Sequence, residues 1–499
     1  MSAPEPHAGI RHISLRSGVY ADSVRLMQVS RDVAARDGVT AVLVAMATPL
    51  NLELAAGMGL SPEHDASPEQ LLIAIRASDD DALTAALAAV DAALAARERS
   101  TGTAAAIPPR TVGAGLHELS PDGPALAIVS VPGPYAVAEA ADAIAAGRSV
   151  LVFSDGVPVE HEAALKRAAH AAGVLVMGPD CGTAIVSGVA LGFANVVRPG
   201  PVGLVAASGT GAQQVSCLLD MAGVGVSHVL GVGGRDLSEA VGGLATLDAL
   251  AALDADPATE RVMLVSKPPA PSVAAAVSEA AAKLSVPVRS AVLSPQAPDL
   301  TAAVEALLTD MGLDVPTWPS RPGPAESTVP GAALKGLYSG GTLADETMLI
   351  AAPALGDIRS NTPLRPELHL GTDLSASGHV VIDFGDDALT VGRAHPMIDP
   401  TLRLEAIAGL AASEEPAVLL LDVVLGYGAD PDPAGALVPA LTAARSQRQL
   451  PVVVALIGTE GDPQGWSRQA DALTAVGAAV FASNAAAARY ALDLLGVSR

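Results

Sequence analysis

Val202-Gly203-Leu204-Val205-Ala206-Ala207-Ser208-Gly209-Thr210-Gly211-Ala212-Gln213-Gln214 decides the fold. The first six residues are a short aliphatic run, the next four a glycine-rich polar turn, and a helical stretch opens near Ala212. The same order of aliphatic run, Gly-rich or polar turn and Ala-rich helix recurs along the chain. It predicts an α/β protein made of βα units on parallel sheets, in several Rossmann-like and flavodoxin-like domains. Strands are expected at 39–46, 71–75, 125–131, 149–153, 174–177, 202–207, 262–266, 417–424 and 451–457.

The 499 residues suggest three or four domains at roughly 100–200 residues each. Half of the residues are apolar but only 2% aromatic, so the cores must be aliphatic. Two stretches break the rhythm: 100–123, rich in Gly, Pro and Thr, and the proline-laden 312–331. Both read as linkers, and a further boundary is expected near Arg198-Pro199-Gly200-Pro201. The expected domains are 1–103, small and α/β; 104–198, Rossmann-like; 199–325, flavodoxin-like; and 326–499, flavodoxin-like. With 29 basic against 53 acidic residues, the net charge of −24 argues against nucleic acid or an anionic membrane as partner. Cys181 and Cys217 form neither a disulfide framework nor a metal-ligand pattern, and no metal site is expected. No signal-like N-terminus and no uncharged apolar run of about 18 residues is seen, so a cytoplasmic location is expected.

Chemistry is sought in the turns at the carboxyl ends of the strands, where ligands of open α/β sheets sit. Ser208, Gly209, Thr210 and Gly211 open a helix, whose free N–H groups and dipole would hold an anion; the alternative is a tight turn with ordinary capping. Gly340 and Gly341, in Ser339-Gly340-Gly341-Thr342, and Gly426 and Gly428, in Gly426-Tyr427-Gly428-Ala429-Asp430, are candidates for the same phosphate or acyl-phosphate cradle. Arg235 follows Gly231-Val232-Gly233-Gly234 and offers a forked contact to a carboxylate or phosphate, or only a surface salt bridge. Beyond Asp383-Phe384-Gly385-Asp386-Asp387, a Gly/Pro-rich loop carries Arg393, His395 and Asp399 close together. His395 is a candidate for proton transfer or phosphoryl acceptance, or it is simply hydrogen-bonded. His395, Arg393 and Arg235 are thus the catalytic candidates, and Asp180, Asn195 and Asp399 the further substrate-binding ones. Cys181 is read as packing, because no histidine lies near it in the segment.

Residues 125–267 resemble the α subunit of succinyl-CoA synthetase. The likeness rests on Val131-Pro132-Gly133-Pro134-Tyr135, Asp155-Gly156-Val157-Pro158, Gly178-Pro179-Asp180-Cys181 and the 205–210 turn. Residues 381–436 resemble the ligase domain of that enzyme's β subunit, in which a loop equivalent to 425–428 opens a helix. More narrowly, 177–183, Gly192-Phe193-Ala194-Asn195-Val196, 231–237, Val265-Ser266-Lys267-Pro268-Pro269 and 392–401 identify the chain as a member of the FdrA family, long catalogued as acyl-CoA synthetase-like.

That resemblance implies domains of the succinyl-CoA synthetase type. It further implies a subunit handling an acyl or carbamoyl phosphate, with oxamate carbamoyltransfer (oxalurate and phosphate to oxamate and carbamoyl phosphate) as the leading activity. The alternatives are a subunit of an NDP-forming acyl-CoA synthetase, with His395 in place of the phosphorylated histidine, and a non-enzymatic ligand-binding scaffold. The implied partners are a small anionic substrate, phosphate and further protein subunits; the implied cofactors are CoA or a nucleotide. The sequence departs from succinyl-CoA synthetase in three places: 293–308 holds no histidine, no nucleotide-grasp domain is recognisable, and the N-terminal Gly-rich loop of the CoA-binding domain is not recognisable before Ala125. The purified chain without partners is therefore expected to form no thioester from ATP, a carboxylate and CoA. Robust ATP-dependent thioester formation in that assay would contradict the expectation.

Overall fold

The computed structural model describes residues 9–19, 23–62, 64, 66–95, 109, 111–119, 125–323, 328–390 and 393–497. The chain divides into two units, residues up to Pro108 with Gly392–Ala394, and the remainder. In the first unit, strands Ile10–Arg16, Leu71–Ala77 and Val39–Met46 form an antiparallel sheet with Leu71–Ala77 in the middle. Its helices are Ser23–Ala34, Pro49–Gly57 and Asp80–Ala95. Parallel pairing was expected here. The expectation fails because the helix between the two edge strands returns the chain to the far side of the central strand, not beside its own neighbour.

The second unit holds three sheets. Leu126–Val129, Ser149–Val152 and Val176–Met177 pair in parallel. A six-stranded sheet runs Val288–Val292, Arg261–Ser266, Pro199–Ala206, Val226–Gly231, Thr183–Val186, Val189–Gly192. Its last two strands are an antiparallel hairpin. The other six-stranded sheet runs Ser320–Arg321, Ala478–Phe481, Val452–Ile457, Ala417–Val424, Ala333–Tyr338, Val380–Asp383, with only the first strand antiparallel. Helices cover both faces, so all eight residues of Ala417–Val424 are buried, as near-continuous aliphatic strands of parallel sheets require.

The hairpin Thr183–Val186 and Val189–Gly192 lies ahead of 198 but belongs to the sheet built from later strands. Of the expected linker 100–123, the described part includes the helix Val112–Glu118, capped by Thr111; 100–108, 110 and 120–123 lie outside the described residues.

A buried charge cluster joins the three-stranded sheet's layer to the loop after Val226–Gly231. Lys166, on helix Val159–Ala172, is 1% exposed and holds Glu162 at 2.8 Å and Asp236 at 2.9 Å, both fully buried. Its third proton goes to the Val232 carbonyl at 2.8 Å, and Asp236 also accepts from Thr246 N–H and Oγ1. Every donor of the ammonium is satisfied, which is the condition for burying it. Lys166→Met leaves buried Asp236 without its cation and Glu162 with Arg235 alone, and is expected to lower stability by roughly 3–5 kcal/mol, read by denaturant unfolding. A loss within experimental error would show the carboxylates find other partners.

Candidate functional site

Strand Pro199–Ala206 ends beside Arg261–Ser266, with Ala207 N–H donating to Val265 O at 2.9 Å. Ser208 is extended, and its Oγ accepts from Gly211 N–H at 3.0 Å, capping helix Gly209–Met221. In the other six-stranded sheet, Ala333–Tyr338 turns in the same way into helix Gly341–Leu355. The two turns meet. Ser208 Oγ lies 2.5 Å from Thr342 Oγ1, and a Cβ at Gly340 would fall 2.6 Å from Thr210 Cγ2. The backbone N–H groups of Gly209, Thr210, Gly341 and Thr342 find no acceptor among the described residues. Two positive helix ends with unpaired donors thus face each other.

Carboxylates offset part of that field. Asp422 is fully buried and accepts from Ser339 N–H at 2.7 Å, Ser339 Oγ at 2.9 Å and Gly340 N–H at 2.9 Å. Arg403 pairs with it at 3.2 Å. Burial nevertheless raises the Asp422 carboxyl above its usual range, against Arg403 and these donors. Asp383, at the end of Val380–Asp383, accepts Gly385 N–H through Oδ1 at 2.9 Å, and a Cβ at Gly341 would lie 2.4 Å from its Oδ2. Burial pushes Asp383 up to about 7. Lys267, one residue past Arg261–Ser266, binds Asp345 on the facing helix at 2.7 Å, and its side chain is 49% exposed. Burial works against its charge, but Asp345, Asp383 and Asp386 outweigh it, so the ammonium is held above its usual range.

The candidates from sequence separate into three groups. Ser208, Gly209, Thr210, Gly211, Gly340 and Gly341 come together at the facing helix starts. Within that group Gly340's own N–H is already taken by Asp422.

Gly426, Gly428 and Asn195 are committed to structure. Gly426 N–H donates to Gln464, Tyr427 N–H to Ala194 O, and the helix after this loop starts only at Pro433. The positive φ values of 115° and 80° explain the two glycines. The expected anion cradle at this loop is therefore corrected: its first donors are spent and no helix opens there. Asn195 is 2% exposed and holds Leu425 O and Asp462 while accepting from Gln213, so it has no group left for a substrate.

Asp399, Arg393, Arg235 and Asp180 form the third group. Asp399 caps Thr401 through N–H and Oγ1 at an exposed helix start, and does not orient His395 through its side chain. Arg393 is exposed and groups with the first unit, whereas His395 belongs to the second. Arg235 has Nε on Glu162 at 3.0 Å and Nη2 on Val157 O at 2.7 Å, which makes it part of the Lys166 cluster. Asp180 is an exposed residue, yet the protein packed around its carboxyl desolvates it; desolvation, then Asp387 and Asp155, push it up to about 7. Cys181 is buried, and desolvation pushes its thiol up to about 12, the profile of a packing residue.

Asp386, Asp387 and Asp399 lie near His395 in sequence, and a carboxylate beside an imidazole would favour its charged form. Burial, then Arg403, instead pull His395 down to about 4. Its Nδ1 accepts from Met397 N–H at 3.2 Å, which leaves the neutral ring with its proton on Nε2. Sequence reasoning passed over Lys267, Asp345, Asp383 and Asp422. Lys267 and Asp383 stand in quoted motifs at strand ends, the one available signal, but only pairing across two sheets sets them at the same helix starts.

With this geometry established, comparison with known proteins defines the class. Residues 337–494 match the family described as CoA-ligase, and residues 9–108 match the heavy metal-associated domain of AllF. The chain carries a CoA-ligase domain and is acyl-CoA ligase-like. It belongs to the same family as the uncharacterized protein YahF of Escherichia coli K12, with 36% identity over 503 aligned residues, 95% of this chain and 96% of that protein.

Subunit alpha 2 of an ADP-forming succinate–CoA ligase from Archaeoglobus fulgidus is 32% identical over 144 residues, 28% of this chain and 49% of that subunit. The malate–CoA ligase subunit alpha of Methylorubrum extorquens is 29% identical over 174 residues, 33% and 57% of the two chains. The chain thus spans about half the length of these ligase subunits. A dinucleotide-forming acetyl-coenzyme A synthetase from Ca. Korarchaeum cryptofilum, solved with phosphate and ADP, aligns with 79% of this chain and 96% of its own at 16% identity. Its TM-score is 0.29, too low to carry an argument.

A heavy-metal site does not fit residues 9–108. That stretch contains no cysteine, soft metal ions select thiolates, and no cluster of His, Cys, Asp and Glu suited to a metal occurs among the described residues. Nor is any helix among them long and apolar enough to cross a membrane.

The His395 assignment has a direct check. With its folded pKa below the ordinary 6.5, the unfolded chain takes the proton first. The stability from keeping His395 neutral is then complete above the unfolded value and drains as pH falls through it towards about 4. The imidazole NMR signals are expected to stay fixed from about pH 8 to about pH 5.5, and His395→Asn should remove this part of the acid destabilisation. A midpoint near the ordinary value would refute the buried neutral assignment.

Proposed function

We propose that this chain is the acyl-transfer subunit of a CoA ligase-like assembly. In this reading it holds the phosphoryl group of an acyl phosphate between the two facing helix starts and exchanges the acyl group with the thiol of coenzyme A. The observation that carries the reading is the pair of converging helix N-termini at Ser208 and Thr342, with unpaired N–H groups at Gly209, Thr210, Gly341 and Thr342. An anion between them relieves the repulsion of two like poles and gives those donors acceptors. Because the donors are fixed by two buried sheets, they need no reorganisation as charge moves onto the departing phosphate. Lys267, which keeps ammonium protons beyond the one given to Asp345, supplies the nearby cation.

The leading activity implied by the FdrA resemblance, carbamoyl transfer between oxalurate and phosphate, gives way to the ligase reading. The compared relatives with assigned activities are CoA ligases. Carbamoyl phosphate remains within the broader class of acyl phosphates that such a site would take. Nucleotide chemistry, further subunits and the identity of the acyl group belong to the assembly.

Gly209 gives the sharpest test. A Cβ there meets only Thr183 Oγ1, at 3.4 Å, so Gly209→Val is tolerated by the fold while its bulk covers the donors. It is expected to weaken binding of inorganic phosphate by tenfold or more, about 1.4 kcal/mol, in titrations followed by ³¹P NMR. At Gly211, by contrast, a Cβ would press on Ser208 Oγ at 2.7 Å, so a substitution there would also damage the cap. Unchanged phosphate affinity in a folded Gly209→Val protein would remove the site.

A further inference from the structure

Acyl exchange between a phosphate and a thiol needs a group that takes one proton and gives it back. His395 is poorly suited, being neutral with its Nδ1 engaged by Met397. Asp383 is better placed. Its side chain is 6% exposed. Its Oδ1 accepts from Gly385 N–H, but its Oδ2, turned to the start of helix Gly341–Leu355, accepts no hydrogen bond among the described residues. That oxygen is not among the fully buried polar atoms left without a partner, so it keeps a path to solvent by which a ligand can reach it. Here it lies beside backbone donors that also have no partner. An unpaired acceptor and unpaired donors at one spot are what a ligand carrying both kinds of group would complete.

The groups facing Asp383 come from every element around it. Lys267 approaches from the strand end and Asp345 from the helix, while Asp386 follows on its own turn. His395 Nε2 lies across Gly385, where a Cβ would fall 2.8 Å from that nitrogen and 3.2 Å from Asp383 Oδ1. Lys267 forms its short pair with Asp345 and leaves Asp383 free.

We propose that Asp383 is the proton-transfer residue of this site, accepting the proton of the attacking thiol and returning it to the departing phosphate. The inference rests on the acyl-exchange reading above. In the step, the S–H proton passes to the Asp383 carboxylate as sulfur bonds to the acyl carbon. The bond from that carbon to the phosphate oxygen breaks, and the phosphate leaves with the proton. No electrons are gained or lost. Burial lifts the Asp383 carboxyl to about 7, where it exchanges a proton in either direction.

The test uses the full chain with its co-purifying subunits, acetyl phosphate and CoA as turnover substrates, and sulfate as a dianion probe. Wild-type turnover is expected to rise with pH through about 7, as the carboxylate forms. Asp383→Asn should cut kcat by roughly 10²–10⁴-fold and lose that limb, with the melting temperature nearly unchanged; Asp383→Glu should recover part of both. Sulfate binding should weaken in the wild type as pH rises through the same range, because the ionised carboxylate repels it, and Asp383→Asn should tighten binding at high pH and flatten the profile.

A folded Asp383→Asn protein with wild-type turnover and limb overturns the assignment. If acetyl phosphate is not turned over, sulfate decides: a pH-independent wild type, or a dependence that survives in Asp383→Asn, overturns it equally. Gly209→Val separates the two readings. Sulfate binding that is lost in Gly209→Val but indifferent to Asp383 removes Asp383 alone. Wild-type protein that binds no sulfate, or binds it equally after Gly209→Val, removes the site and the Asp383 role together.

Discussion

Two helix N-termini held within hydrogen-bond distance of one another set the conditions for everything around them. Each carries about half a positive charge, and at Ser208 and Thr342 they are 2.5 Å apart through their side chains. Neither can retreat, because each helix follows an interior strand, hydrogen-bonded on both sides, of a six-stranded sheet. The protein answers with negative charge placed unevenly. Asp422, paired with Arg403, neutralises the deep side of one turn. Asp383 stands on the other side without a short ion pair, and the donors between them stay open. In the proposed reading the resulting field holds an anion even though the chain as a whole carries −24.

Around this point most polar groups serve to keep the geometry. The Lys166 cluster fixes the loop after Val226–Gly231, and Asp462 fixes Asn195 and Val196 to the C-terminal sheet through bonds of 2.8 and 2.7 Å. Such buried networks reward complete satisfaction and penalise a missing partner. That is why Asn195 and Gly426, both attractive as ligand-binding residues, have their hydrogen bonds already committed, and why part of the Arg235 guanidinium is held by Glu162 and Val157. The backbone N–H groups left open at the two helix starts, with Asp383 Oδ2 beside them, are correspondingly informative.

The contrast between His395 and Asp383 shows how burial reassigns chemistry. Removing a group from water favours its neutral form. For an imidazole that means a lower pKa, for a carboxyl a higher one, so the same environment takes His395 away from neutral pH and brings Asp383 to it. Gly385 lies against both, and the difference between them follows from the sign of their charged forms.

Much of the architecture is legible in the sequence. The strands Val39–Met46 and Ala417–Val424 are largely aliphatic runs ended by polar or glycine turns, and their bounds follow from that pattern. The turn at Ser208 and its capping are equally local, set by residues four apart or fewer. Tertiary structure decided what no local pattern encodes: that the Ser208 turn meets the Ser339 turn 134 residues away, that Lys267 reaches Asp345, and that Gly426 is spent on Gln464. Periodicity reports which face of an element is buried, but not which other element buries it. The pairing of sheets alone determines whether a polar side chain meets water, a partner or an open donor, and on that depends whether it binds, transfers a proton or simply holds the fold.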